Sequence, residues 1–151
     1  MATPRACRPG GCLEAAVRMP LLLPVITLLL GATLPLAAGE FAVLKGEVEV
    51  ARKELVTMVL YRAKRDEAQQ KVVKDTANAV SAHLAKLKAP AGRSAQFKEL
   101  KETWEAFKLT RETELVPAIL AGEKEKAEKI AAGIQKVRLE KCYALMLELD
   151  K

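Results

Sequence analysis

From Phe41 onward, apolar residues recur at spacings of three and four, the period of one face of an α-helix. Leu44, Val48, Ala51, Leu55 and Val59 form the first such stripe and predict a helix ending near Ala63. Val73, Ala77, Val80, Leu84 and Leu87 form the second, which stops at the breaker Pro90-Ala91-Gly92, so a second helix is expected from Glu67 to Lys88. The link Lys64-Arg65-Asp66 holds neither Gly nor Pro. Separation of the two helices therefore rests on Asp66, with Gln69 three residues on, acting as a capping box; without it the two stripes fuse into one long rod.

A third stripe comprises Phe97, Leu100, Trp104, Phe107, Leu115 and Ile119, with Ser94 as the expected N-cap and Pro117 as an expected kink. Gly122 suits the C′ position of that helix, and the acidic Glu123 suits the start of the next. The fourth stripe is Ala127, Ile130, Ile134, Cys142, Leu145 and Leu149. Four stripes joined by short links predict an all-α fold, an antiparallel up-down-up-down four-helix bundle over residues 40–151.

Residues 1–39 follow a different pattern. Arg5, Arg8 and Arg18 precede an apolar stretch from Leu21 to Leu36, and the small residues Ala37-Ala38-Gly39 follow it. This is the layout of a secretory signal peptide, with cleavage expected after Gly39 and a periplasmic destination for the bundle. Pro20, Pro24 and Pro35 and the short apolar core favour cleavage over an uncleaved membrane anchor, the one form in which membrane contact is expected. Cys7 and Cys12 lie in that segment, which leaves Cys142 without an internal disulfide partner in the bundle.

Composition agrees with a helical core. Half of the 151 residues are hydrophobic but only 4% are aromatic, the rest being mostly Ala, Leu and Val. The net charge of +6 over the whole chain includes three arginines and one acid from residues 1–39. What remains is a weak, interspersed positive balance, which argues against a dedicated nucleic-acid binder. Arg62, Lys64 and Arg65 concentrate positive charge at the first turn, most simply a solvated tip, with contact to acidic lipid or a partner as the alternative.

At 1.5 Å of rise per residue, antiparallel helices bring Arg52, Trp104, Lys108, Arg111 and Arg138 into one middle belt. Lys108, Arg111 and Arg138 lie on or beside the apolar stripes of their own helices. A cation there needs a carboxylate, a route to water or an anionic ligand. Two arrangements meet this need: a small anion held by the guanidinium forks with Trp104 packed on it, or long stems that run along the helix edges to Glu102, Glu105 or Glu112.

His83, Cys142 and Met146 fall near one end of the bundle, and their donor types suit copper(I) or an unusual haem ligation. A histidine at the solvent edge and a packed thiol are the other account of the same residues. No hydrolytic set accompanies them. Nothing near His83 in sequence orients it as a base, and the chain has no phosphate-cradling glycine loop and no Glu-x-x-His pattern of di-iron bundles. A non-enzymatic role is expected.

The run Trp104-Glu105-Ala106-Phe107, the segment from Glu114 through Pro117 to Gly122-Glu123, and Ala127 with Gly133-Ile134-Gln135 resemble the second half of the extracytoplasmic four-helix-bundle sensor domains of bacterial methyl-accepting chemotaxis receptors. The resemblance covers roughly residues 97–149. It implies a ligand-binding or sensory accessory module that takes a small anionic ligand or a partner protein, with a homodimer through one helix face as an open alternative. The Gly turn, the alanines that follow it and Arg138 are also similar to the soluble periplasmic four-helix b-type cytochrome. That likeness implies haem b held by a Met early in the first helix and a His late in the fourth. Here the matching late position is Cys142, and the first turns of the first helix hold no Met.

Overall fold

Asp66 settles the question of one rod or two helices. Its carboxylate accepts from the backbone N–H of Gln69 at 2.8 Å, an N-cap at the start of the second helix. The capping box is only half formed, because the Gln69 amide reaches the other way and donates to the carboxylate of Glu54 at 2.9 Å. The computed structural model describes residues 39–151, so the signal-peptide segment expected over residues 1–39 lies outside the described residues except for Gly39. Among the described residues the fold is all-α, with four helices and no strand.

Helix α1 spans Glu40–Leu60 and α2 spans Glu67–Lys86, with a single 3-10 turn, Arg62–Lys64, between them. Helix α3 covers residues 94–121 in three pieces: α-helical Ser94–Thr110, a π turn over Arg111–Leu115, and α-helical Val116–Ala121. Helix α4 covers residues 124–149 and is built alike, with a π turn over Ala131–Gln135 between Lys124–Ile130 and Lys136–Leu149. No helix among the described residues is long and apolar enough to cross a membrane.

Several helix ends differ from expectation. Helix α2 stops two residues early because Leu87 turns to extended backbone and tucks its side chain into the core. Ser94 is the first helical residue and not the N-cap, a place taken by Arg93, whose side chain makes no capping bond. Gly122 holds the C′ position as expected, at φ +77°, with Glu123 N–H bonded to Ala118 O and Gly122 N–H to Ile119 O, a Schellman closure. Pro117 does not produce a simple kink. The π turn just before it bonds Val116 N–H to Arg111 O, and Pro117 becomes an early residue of a fresh helical segment, where its missing N–H costs little.

Two stripe positions move. In α1 the buried residue near the end is Met58, fully enclosed, while Val59 faces out. In α4 the π turn and the non-helical Gly133 shift the phase of the helix by one residue, so Ile134 is 44% exposed and Gln135 takes its inward place at 4%. The apolar core falls into two clusters. The larger gathers Leu44, Val80, Leu100, Trp104, Cys142 and Met146 with their neighbours, and the smaller gathers Leu55, Met58, Val73, Leu115, Ile119 and Ala127. Between them along α3 and α4 lie the buried or half-buried polar residues Thr110, Arg111, Gln135 and Arg138.

Candidate anion-binding site

The polar storey is built by the two π turns. Arg111 opens the first, and Gln135 closes the second. Gln135 donates its amide to the carbonyl of Phe107 at 3.0 Å. Arg138, one turn further along α4, donates from Nη1 to Ala106 O at 2.9 Å and to the Thr110 hydroxyl at 2.5 Å. These bonds tie α4 to main-chain oxygens of α3 through cationic or amide donors, the stronger class of hydrogen bond where the donor is charged. Arg138 thus spends Nη1 on α3, and its half-buried position leaves the rest of the guanidinium open to solvent.

Arg111 is placed differently. Its side chain is 1% exposed, the one arginine among the described residues inside the core. Nη2 donates to Val73 O of α2 at 2.6 Å, but Nη1 has no hydrogen-bond partner among the described residues. Burial holds the guanidinium below its ordinary range, at about 10, against a smaller opposing pull from Glu112. It keeps its proton and charge at neutral pH. Neither Glu112 nor any other carboxylate among the described residues forms an ion pair with it. A buried cation with one bond and an idle donor is costly, by several kcal/mol in a low-dielectric surround, unless an anion completes it.

Arg111 also lines a groove of about 380 Å³ between α2 and α3. Its other walls are Gln70, Lys71, Val73 and Lys74 from α2 and Glu112 and Val116 from α3. Lys71 pairs with Asp75 on the α2 surface, whereas Lys74 has no ion-pair partner among the described residues. The cations outnumber the single carboxylate, and Val73 and Val116 supply an apolar wall. The volume lies within the range of about 300–1,000 Å³ common for small-molecule clefts.

The five residues of the expected basic belt do not converge. Trp104 is wholly buried, donates from Nε1 to the Ser81 hydroxyl at 2.9 Å and stacks on Phe107 with centroids 5.5 Å apart, so its ring is occupied by the core. Lys108 is half-buried one turn beyond Trp104. Arg138 faces the α3–α4 seam, and Arg52 is exposed on α1, where its charge acts on Tyr143 of α4. Of the five, Arg111 alone lines the groove. In the sequence the groove residues Lys71, Lys74 and Gln70 read as ordinary polar positions of α2; the i, i+3 pair of lysines beside Val73 is the available signal.

The sulfur and nitrogen donors fare similarly. His83 shares a 2.9 Å contact with the carboxylate of Glu47 across the α1–α2 edge, at Nδ1. Cys142 and Met146 lie in the larger core cluster, and burial pushes the Cys142 thiol up to about 12, which keeps it protonated. Among the described residues no group of three or more His, Cys, Asp or Glu side chains is placed to hold a metal ion. No protein-family model, curated protein or solved structure matches this chain.

Proposed function

We propose that this chain is a non-enzymatic, exported ligand-binding module that holds a small organic anion in the α2–α3 groove, as a sensory accessory bundle of the chemotaxis-receptor kind. The observation that carries the reading is the Arg111 guanidinium, buried yet with Nη1 unpartnered, on the wall of a groove flanked by Lys71 and Lys74. An anion seated there completes the arginine's hydrogen bonds and neutralises a charge that no carboxylate among the described residues pairs with. The arrangement behind it is an antiparallel up-down-up-down bundle. Support for that topology comes from pairs whose numbers run oppositely: Glu54 with Gln69 and Glu47 with His83, then Ser81 with Trp104 and Val73 with Arg111, then Ala106 with Arg138 and Glu99 with Lys141.

Titration calorimetry against acetate, succinate and a panel of amino acids tests the proposal, with wild type, Lys74→Glu and Arg111→Met compared. Heat from at least one carboxylate that Lys74→Glu weakens and Arg111→Met abolishes is the expected result. Equal heats from all three proteins, or none from wild type, sink it. Arg138→Ala serves as a contrast, because its bonds go to α3 and not to the groove.

A further inference from the structure

The basic run at the first turn has no place in the α2–α3 groove, and the structure sets it beside a second cleft at the end of the bundle. We infer that this cleft takes a single-chain amphiphilic anion, an alkyl chain of medium length carrying a carboxylate or phosphate head. Its volume is about 490 Å³, and it opens between the α1–α2 link and the α3–α4 link. Val59, Leu60, Ala118, Ile119 and Ala127 form an apolar lining that continues the smaller core cluster to the surface. Small side chains at Ala118, Gly122 and Ala127 leave the space, and Gly122 is held there by its left-handed turn.

The rim is cationic. Among the described residues Arg62, Arg65 and Lys124 line it against a single acid, Glu128, which Lys124 approaches at 3.7 Å. Arg65 is fixed in position: Nε donates to Met58 O at 3.1 Å and Nη2 to Val59 O at 3.4 Å, so it caps the C-terminal end of α1 and stands over the mouth. Neither Arg62 nor Arg65 forms an ion pair with an acid among the described residues. An apolar floor beneath unneutralised guanidinium groups matches a ligand with an alkyl body and an anionic head, each half meeting its own kind of surface. Among the described residues no aromatic side chain lines the cleft itself, so its walls offer no stacking surface of the kind a nucleobase or other flat ring uses. Leu60 and Tyr61 stand 67% and 60% exposed at the same tip, apolar surface that a bound chain partly covers.

The test is calorimetry on the mature chain with decanoate, decyl phosphate and uncharged decanol, each kept below its aggregation concentration, together with flotation on phosphatidylglycerol vesicles. Decanoate, decyl phosphate or both are expected to bind at least tenfold more tightly than decanol, and the ratio between the two heads identifies the preferred anion. Arg62→Glu and Leu60→Ser, both at exposed positions, should each weaken binding, the former at least tenfold, with unchanged circular dichroism. Arg111→Met should leave it unaltered, which separates this cleft from the α2–α3 groove. Decanol binding as tightly as decanoate, indifference to Arg62→Glu, sensitivity to Arg111→Met, or binding to vesicles without binding to monomeric amphiphile each overturns the inference.

Discussion

Arg111 of α3 donates to the main-chain carbonyl of Val73 on α2 at 2.6 Å, a bond that joins two helices through a charge placed inside the core. The Val73 carbonyl sits within a helix and so keeps a backbone partner when the arginine is removed. Replacing Arg111 by an apolar side chain of similar reach should therefore cost little. Arg111→Met is expected to be as stable as wild type or more stable, by up to about 1–4 kcal/mol, as buried charges replaced by well-packed hydrophobes often are. Arg111→Ala should lose about 2–5 kcal/mol through the cavity it leaves. Urea unfolding distinguishes them, and a loss above about 3 kcal/mol in Arg111→Met would show that the bond to Val73 is a structural strut.

Trp104 and Ser81 form a second cross-helix pair with a different balance. The indole N–H is wholly buried with the Ser81 hydroxyl as its partner, so Ser81→Ala leaves a donor with nothing to bond. A loss of about 1–3 kcal/mol is expected. Trp104→Phe removes the orphan, so adding Ser81→Ala to that variant should cost less than it does in wild type. A double-mutant cycle from urea midpoints checks this; strict additivity would contradict the assigned bond.

Two glycines separate backbone geometry from packing. A methyl group at Gly122 or Gly46 meets nothing within 4 Å, yet Gly122 has φ +77° and Gly46 lies within α1. Gly122→Ala should destabilise by about 1–2 kcal/mol. Gly46→Ala should stabilise by about 0.5–1 kcal/mol. Thermal melts of the two variants should move in opposite directions, and a shared direction refutes the assignment.

Cys142 gives the protein an alkaline limit. Its thiol rises from an ordinary 9.0 to about 12 because it is buried, and the Tyr143 hydroxyl moves in the same direction. Below pH 9 both the folded and unfolded chains keep the thiol proton, and the contribution to stability is fully present. From there towards pH 12 the unfolded chain loses the proton while the folded chain retains it, so stability falls. The loss is about 1.4 kcal/mol by pH 10. Wild type should lose this amount relative to Cys142→Ala between pH 8 and pH 10, and a parallel decline of the two would refute it. Alkylation of Cys142 by iodoacetamide at pH 8 should require unfolding.

Much of the scaffold was readable from periodicity because most of the inward positions are apolar and repeat at helical spacing. All five positions of the second stripe and all six of the third are buried. Asp66 and Gly122 were readable because each does local chemistry, a carboxylate on a free N–H and a left-handed turn. Ile134 misled because periodicity assumes an unbroken helix, and the π turn over Ala131–Gln135 inserts a phase shift that no spacing rule contains. The basic belt misleads for a related reason: equal height on three helices does not give equal azimuth. Arg52, Arg111 and Arg138 lie on three different edges, and only contacts between helices reveal which edge holds a groove.

The division of the core into two clusters has a dynamic consequence. A hydrophobic core that is continuous melts as one cooperative unit, whereas Thr110, Arg111, Gln135 and Arg138 interpose buried or half-buried polar groups between Leu55, Met58 and Ile119 on one side and Trp104, Cys142 and Met146 on the other. The tip that carries the smaller cluster can therefore open while the larger one stays closed. Amide hydrogen exchange should then be graded along α1 and α3, faster around Leu55 and Ile119 than around Leu44 and Leu100. A guest entering at the tip would shift a local equilibrium there without loosening the rest of the chain.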